Sequence, residues 1–420
     1  MNRLKEKLTF WLRKSEKYTK TDMVYLLSSN FWLNINKFLS IGNGLVLAIA
    51  FANLISKEEY GIYAFVLAIT GLFSMPPTTG LGAGIVKEAA RGNHAVVFEG
   101  MKKVLPWSLA SGSALVLAGL YYWLKGNTVL SVCFTLSGAS LPVLVSNSSA
   151  KSLLSSVGDF RMLAMFNLWR TPLSTAILVS ALFFSSSVLW VLVANILSNL
   201  FLGFFLYRAV KKKYALHAQE KTDGKFAGAY AFHSAILSVF GYLSEKIDSI
   251  MLWKFLGAAP VAVYSYALSP IRELRGVLEN QGAAAIPKFA KKEFSDVRAN
   301  ILFRIKQFYI IVAPAVLLYI LSAPYIFRLI FPQYMESVLI SQVASLLLLT
   351  SPKVLLSGAI SSHQKIMESY IMIVAPNAIR ILLAFMLIPT FGLWGALAAF
   401  LTYEILQYAI LGILLFVTKR

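Results

Sequence analysis

The sequence predicts an all-α, polytopic membrane protein with twelve transmembrane helices in two six-helix bundles around a central cavity. Hydrophobic residues make up 58% of the 420 residues and charged residues only 14%, whereas a soluble chain is about 45–50% apolar and about 25% charged. Twelve segments are long and apolar enough for a bilayer span, which takes about 20 apolar residues. Seven basic residues lie inside these segments, and a cation at mid-membrane costs roughly 2.5–3.5 kcal/mol, so they indicate a polar interior.

The predicted spans follow a basic tail at residues 1–30, in which apolar residues at helical spacing favour a helix on the membrane surface over a disordered tail. The N-terminal bundle is expected at 31–207, a basic cytoplasmic linker at 208–228, and the C-terminal bundle at 229–420. The predicted spans are 31–55, 61–83, 104–124, 128–150, 162–186, 188–207, 229–255, 261–288, 305–329, 338–360, 369–389 and 394–417.

Basic residues are distributed unevenly between the two sides of the predicted bundle. The tail and the loops on its side hold 28 Lys and Arg residues, and the other side holds four. The positive-inside rule then predicts cytoplasmic termini in a multi-pass protein of the cytoplasmic (cell inner) membrane. The net charge of +20 does not point to nucleic acid, because most of it lies in short loops without a basic, aromatic-interleaved stripe.

Patterns typical of metal, cofactor or nucleotide sites are missing from the sequence. Cys133 is the sole cysteine, the four histidines are dispersed, and no phosphate-binding Gly-Lys-Ser/Thr loop occurs. We therefore expect a protein that is not an enzyme, with no catalytic residues, metal or cofactor. Energy for any transport would come from an ion gradient or from the substrate gradient.

The basic residues inside the spans are the candidates for binding a large anion. Arg272 and Arg275 fall on one face of the eighth span with Glu279, and arginine offers bidentate donors to phosphate. A structural ion pair is the alternative interpretation. The predicted substrate-binding residues are Arg272, Arg275, Lys37, Lys353 and Arg380.

Two of these lysines leave a further alternative open. Lys37 shares a helix face with Asn30 and Asn34, which favours a wet interior, but near the inner end of its span it could also snorkel to the surface. Lys353, which follows Pro352, is equally ambiguous. Arg170, near the inner end of the fifth span, ranks last among the membrane cations.

Depth along neighbouring spans predicts which charges pair. Arg380 and Glu404 lie at similar depths on the last two spans, and we expect them to form a salt bridge that could still line the cavity. Glu245 lies at the depth of Arg272 and could pair with it across the hairpin. Lys246 is expected to be neutralised by its acidic neighbours in the sequence.

All the carboxylates inside spans lie in the second half. If transport is coupled to protons or sodium ions, the responsible group is expected there, because a buried carboxylate can have a raised pKa. The alternative is that these acids only balance the cations. The ion-coupling candidates are Glu245, Asp248, Glu279 and Glu404.

Four motifs at the ends of spans carry a family resemblance. They are Ser56-Lys57-Glu58-Glu59-Tyr60-Gly61-Ile62-Tyr63, then Gly80-Leu81-Gly82-Ala83-Gly84 leading to Lys87-Glu88-Ala89-Ala90-Arg91, then Ala285-Ile286-Pro287-Lys288-Phe289, and Phe391-Gly392-Leu393-Trp394-Gly395-Ala396. With twelve spans and a basic middle loop, the chain resembles the Wzx-type polysaccharide flippases. These form the O-antigen transporter branch of the multidrug/oligosaccharidyl-lipid/polysaccharide exporter superfamily.

This resemblance implies a flippase. Such proteins move an undecaprenyl-diphosphate-linked oligosaccharide, such as an O-antigen repeat unit, across the cytoplasmic membrane by alternating access. The resemblance further implies membrane lipid around the substrate tail, a coupling proton or sodium ion, and a polysaccharide polymerase and chain-length regulator as partners.

Two other functions compete with this prediction. A cation-coupled multidrug exporter of the same superfamily would have the same architecture, but its pocket should favour carboxylates and aromatics over arginines. A membrane polysaccharide polymerase or ligase is the enzyme alternative, and it usually needs a large outer loop, whereas the outer loops predicted here are short. A lipid II flippase is a near neighbour that commonly carries additional spans.

Overall fold

The structure, a computed structural model, describes residues 23–80, 95–214, 228–283, 294–362 and 366–417. These residues are almost all helical, and no strand occurs among them. The all-α prediction is therefore confirmed. The predicted surface helix in the tail, most of the middle linker, and the motifs around residues 81–91 and 285–289 lie outside the described residues.

The first half of the chain contains six long helices. They are α1 (Met23–Leu54), α2 (Lys57–Met75, continued by a π-helical turn at Pro76–Gly80), α3 (Ala95–Leu124), α4 (Thr128–Ser156), α5 (Phe160–Phe184) and α6 (Val188–Tyr214). The second half contains α7 (Gly228–Leu256), α8 (Ala258–Ala283), α9 (Phe294–Ile330), α10 (Ser337–Ala344), α11 (Lys353–Ser362) and α12 (Ile366–Val417).

Where the structure describes them, the predicted spans coincide with helical structure, although two regions differ from a simple count of helices. The tenth span consists of α10, a 3-10 segment at Ser345–Thr350, and α11. The eleventh and twelfth spans form one helical stretch, α12, interrupted at Gly392 with φ 57° and ψ −127°. A Cβ on Gly395 would lie 2.1 Å from the Leu387 carbonyl oxygen. The chain therefore folds back on itself at Gly392.

Eight segments of the described chain are both long enough and apolar enough to cross a membrane. The chain is thus a multi-pass membrane protein. Helix α1 already includes Met23, ahead of the span predicted from residue 31, and its membrane-length apolar part is Ile35–Leu54. The polar residues Ser28, Ser29 and Asn30 continue the helix, whereas the hydropathy pattern placed them in the tail.

Helix α2 belongs to the first half and packs against the second half. Helices α3 with α4, α4 with α6, and α1 with α5 pack within the first half. Helix α12 packs on α7, and α10 on α8, in the second half. Helix α2 contacts both α7 and α8, so these three helices bound part of the space between the halves.

The halves are in close contact at the end that the charge distribution predicts to be outer. A Cβ on Gly61 would lie 2.0 Å from the carbonyl oxygen of Ala258, so α2 and α8 touch there backbone to backbone. Beside this contact the ring of Tyr266 lies 4.8 Å from that of Tyr60 and 4.0 Å from that of Tyr334, centre to centre. We call these five residues the outer seal.

Candidate functional site

A polar cavity of about 410 Å³ lies directly beneath the outer seal, between α2, α7 and α8. Its polar lining consists of tyrosines, serines and three charged residues. These are Tyr60, Tyr63, Tyr242, Ser249, Ser265, Ser269, Lys246, Arg272 and Glu273. The cavity is bounded by both halves of the chain, as a central cavity requires. Its tyrosines and Glu273 were not among the predicted site residues, because single polar residues in apolar helices carry no motif.

Arg272 is the cavity cation with the most freedom to meet a ligand. Its side chain is exposed, and among the described residues it makes no ion pair. The pairing predicted with Glu245 is wrong, because the Glu245 carboxylate instead binds Lys246 at 2.7 Å. The predicted local neutralisation of Lys246 is thereby confirmed.

Lys37 lies against α8. A Cβ on Gly276 would lie 3.1 Å from the Lys37 Nζ, and a Cβ on Gly44 would lie 3.9 Å from the Glu273 carboxylate. The two helices therefore run antiparallel along this face. Lys37 makes no ion pair with a described residue.

An apolar cavity of about 500 Å³ adjoins the polar one. It lies between α1, α8 and α9 and is lined mainly by aliphatic side chains. Ser269 and Glu273 line both cavities. A polar space and an apolar space thus share one wall formed by α8.

Arg275 points away from these cavities into a buried ion network. Its guanidinium donates to Glu279 at 2.7 Å and to Glu404 at 2.8 Å. The Glu404 carboxylate, only 3% exposed, also accepts from Lys353 at 2.7 Å and from Thr350 at 3.0 Å. Two cations thus surround one buried carboxylate, which resolves the ambiguity of Lys353 in favour of a buried ion pair.

The salt bridge predicted between Arg380 and Glu404 is wrong. Arg380, 4% exposed, donates to Asp248 at 2.6 Å, and Asp248 also accepts from the Tyr264 hydroxyl at 3.3 Å. The Phe400 ring covers the guanidinium at 4.2 Å. The two residues share a depth, but packing of α12 on α7 places Asp248 closer to Arg380.

The predicted site residues therefore divide into two groups. Arg272 and Lys37 lie at or beside the cavities without an ion pair among described residues. Arg275, Lys353 and Arg380 are held by carboxylates within the second half. Of the ion-coupling candidates, Asp248, Glu279 and Glu404 are the acids of these networks, and Glu245 binds Lys246.

Comparison with known families agrees with this architecture. The model of a family described as polysaccharide biosynthesis protein matches residues 26–293. The chain belongs to this family. The matched region of the polysaccharide biosynthesis protein family includes α1, α2, α7 and α8, and hence the whole polar cavity. No curated protein gives a significant match to the chain.

Solved structures share the fold. The lipid II flippase MurJ in an inward closed conformation superposes with a TM-score of 0.69, at 13% identity, over 90% of this chain and 86% of that chain. An inward-facing multidrug resistance MATE family transporter of the MOP superfamily gives 0.63 at 14% identity, over 92% and 98%. An outward-facing transporter of the same family superposes with a TM-score of 0.60 at 16% identity, over 93% of this chain and 95% of that chain. At these identities the likeness shows the fold.

Proposed function

We propose that this protein is a flippase that moves an undecaprenyl-diphosphate-linked oligosaccharide, an O-antigen or related repeat unit, across the cytoplasmic membrane by alternating access. The observation that carries the proposal is Arg272, exposed in a polar cavity between the halves and free of any ion pair with described residues. Guanidinium forms paired, charge-assisted hydrogen bonds with phosphate oxygens.

The two adjoining cavities suit an amphiphilic substrate. The polar cavity, with Arg272 and Lys246, matches a diphosphate-sugar head group. The apolar cavity shares Ser269 and Glu273 with it and matches the first isoprene units of the lipid. A hydrophobic drug would need only the second kind of space. A soluble sugar nucleotide would need only the first.

Several finer features belong to the same proposal. The termini are cytoplasmic, since the basic loops lie on their side. The closed outer seal corresponds to the state that receives substrate from inside. If a proton or sodium ion is coupled to transport, Glu273 joins the predicted carboxylates as a candidate, since it faces both cavities and makes no ion pair with a described residue.

A cation-coupled multidrug exporter is the second candidate, favoured by one observation. Three tyrosines and a carboxylate line the polar cavity, and such groups suit a cationic aromatic drug. Against this, Arg272 places on the lining a positive charge that has no ion pair with a described residue, and it would repel such a drug. The two functions differ in the substrate whose export depends on Arg272.

Complementation of a flippase-deficient strain tests the proposal. We expect Arg272→Gln to abolish surface polysaccharide, because the cavity loses the guanidinium that binds the anion. The amount of protein in the membrane should stay normal, because no ion pair with a described residue is broken. Lys254→Gln is the matched control, since it removes an equal charge from the outer end of α7. Full complementation by Arg272→Gln would contradict the flippase assignment. So would cells with this variant that become sensitive to drugs but keep their surface polysaccharide.

A further inference from the structure

A second group of charged and polar side chains lies inside the first half, apart from both ion networks. Lys151 on α4 and Arg170 on α5 are partly buried, and they lie close enough for their positive charges to repel one another. The helices that carry them pack together and against α6. A cation inside a span, as Arg170 is, is costly unless an anion accompanies it, and Lys151 adds a second positive charge at the inner end of the fourth span.

Neither cation has a carboxylate partner among the described side chains. Arg170 donates from Nη2 to the Asn199 Oδ1 at 2.5 Å, and its Nε is shielded from solvent without a hydrogen-bond acceptor. Neither residue forms an ion pair with a described acid. The guanidinium and the ammonium thus keep unused donors.

Asp159 would be the natural counter-ion, since it caps α5 between the two cations in the sequence. Its carboxylate instead accepts from Lys213 at 2.6 Å, from Tyr214 at 2.8 Å and from the Met162 amide. Burial alone would raise the pKa of Asp159, but the hydrogen bonds from Lys213, Tyr214 and Met162 outweigh it, so its pKa lies below the usual value. Asp159 is therefore bound by other donors and does not pair with Lys151 or Arg170.

A chain of hydrogen bonds connects the cation pair to the polar cavity. Asn199 donates to the Asn195 Oδ1 at 2.8 Å, and Asn195 donates to the Tyr63 hydroxyl at 3.1 Å. Tyr63 lines the polar cavity. Arg170 is thus connected through Asn199 and Asn195 to Tyr63 in the cavity wall.

The pair lies within reach of the inner membrane surface. At 1.5 Å per residue, Lys151 is about 8 Å from the end of α4, and Arg170 is about 15 Å from the start of α5. A lysine stem can extend several ångströms further toward either side. Basic pockets between helices on the cytoplasmic side are where lipid phosphates bind.

We propose that Lys151 and Arg170 form an anion site for a lipid phosphate, separate from the Arg272 cavity. Two sources supply this chemistry: the diphosphate of the transported lipid, which rests on the proposed function, and the head group of a bilayer phospholipid, which does not. In the first case the site holds the substrate as it enters from the cytoplasmic side. In the second it holds a structural lipid.

Binding of two defined lipids to the purified full-length protein tests this proposal. The probes are undecaprenyl diphosphate and phosphatidylglycerol, and binding is measured by native mass spectrometry and by the shift of the thermal midpoint. We expect the double variant Lys151→Gln, Arg170→Gln to bind at least one lipid at least about tenfold more weakly, since a single charge-assisted hydrogen bond is worth roughly 1.5–3 kcal/mol and about 1.4 kcal/mol corresponds to tenfold.

The control is Lys211→Gln, Lys212→Gln, which removes the same charge from exposed positions on α6 and should bind both lipids normally. Without lipid, Lys151→Gln alone should not lower the thermal midpoint, because it relieves repulsion, and this single variant carries the test if the double variant unfolds. Loss confined to undecaprenyl diphosphate assigns the site to the substrate, and loss confined to phosphatidylglycerol assigns it to a structural lipid.

Unchanged binding of both lipids by the Lys151 and Arg170 variants would overturn the inference. That failure is distinguishable from failure of the flippase assignment. If Arg272→Gln abolishes transport while the double variant binds both lipids normally, only the second site is wrong. If Arg272→Gln transports normally while the double variant loses phosphatidylglycerol, the flippase assignment is wrong and the second site stands.

Discussion

Arg272 and Arg275 lie less than one helical turn apart on α8, yet their surroundings differ completely. Arg272 is exposed in the polar cavity, whereas Arg275 binds Glu279 and Glu404. Three residues along a helix leave the two side chains about 60° apart, so they share a broad face and yet meet different neighbours. One arginine is available to a ligand, and the other holds the second half together.

Arg275→Ala should therefore destabilise the protein rather than affect transport alone. It leaves Glu404 buried with Lys353 as its one remaining cation among the described residues, beside the Thr350 hydroxyl, and removing one member of a buried ion pair costs up to about 3–5 kcal/mol. We expect a clear drop in the thermal midpoint of the purified protein. Arg272→Ala, at an exposed position, should change the free energy of unfolding by less than about 0.5 kcal/mol. Equal midpoints for the two variants would contradict this division of roles.

The buried pair of Arg380 and Asp248 gives a second prediction. Asp248→Ala leaves a guanidinium uncompensated and should cost about 3–5 kcal/mol, whereas replacing both by Met and Leu should restore most of the stability. Glu336→Ala, at the exposed ion pair with Lys57, should cost at most about 1 kcal/mol. Thermal unfolding of the three variants measures these changes in stability. A double variant as unstable as the single would show that packing, not charge, sets the cost.

Part of the site follows from the sequence at the residue scale. The predicted electropositive interior rests on seven cations inside apolar helices, and the cavity cation Arg272 was among its candidates. The partners were harder to predict: Glu404 binds Arg275 and Lys353 instead of Arg380. Depth follows from residue number, but the side a residue faces depends on helix packing that one sequence does not contain.

At the scale of elements, α2 and α8 form the contact that closes the outer end. Gly61 allows the backbones to touch, and a methyl group there would overlap the Ala258 carbonyl oxygen at 2.0 Å. A backbone atom cannot move aside as a flexible side chain can. Any side chain at this position must therefore push the two helices apart.

Gly61→Ala should loosen the outer seal. We expect a cysteine at Ser265, which lines the polar cavity, to react faster with a membrane-impermeant maleimide from outside when Gly61→Ala is present, in a Cys133→Ala background. Gly42→Ala is the matched control, because no atom lies within 4 Å of its added methyl group. Equal labelling of both glycine variants would show that this contact does not close the cavity.

Hydropathy predicts elements well here because a bilayer span must be long, apolar and helical. The predicted Phe391-Gly392-Leu393 boundary coincides with the reversal at Gly392, where only glycine readily adopts φ 57°. The break of the tenth span into α10, a 3-10 segment and α11 was not predicted. Pro352 was its one local signal, and a proline alone does not show where a helix divides.

At the scale of the whole molecule, the charge distribution predicts the orientation in the membrane. In the Cys133→Ala background, a cysteine at Lys125 should be labelled by an impermeant maleimide in intact cells, whereas one at Arg161 should be labelled only after permeabilisation. Both positions are exposed and lie at opposite ends of the bundle. The reverse pattern would invert the topology and place the outer seal on the cytoplasmic side.

The two cavities, the seal and the orientation combine into one account of lipid-linked sugar transport with Arg272 at its centre. Its most direct test is transport of an undecaprenyl-diphosphate-linked oligosaccharide in liposomes containing the purified protein, measured by access of an external sugar-modifying enzyme. The account predicts that the wild-type protein and Lys254→Gln move the lipid, and that Arg272→Gln falls to the rate of empty liposomes. Wild-type rates from Arg272→Gln would contradict it.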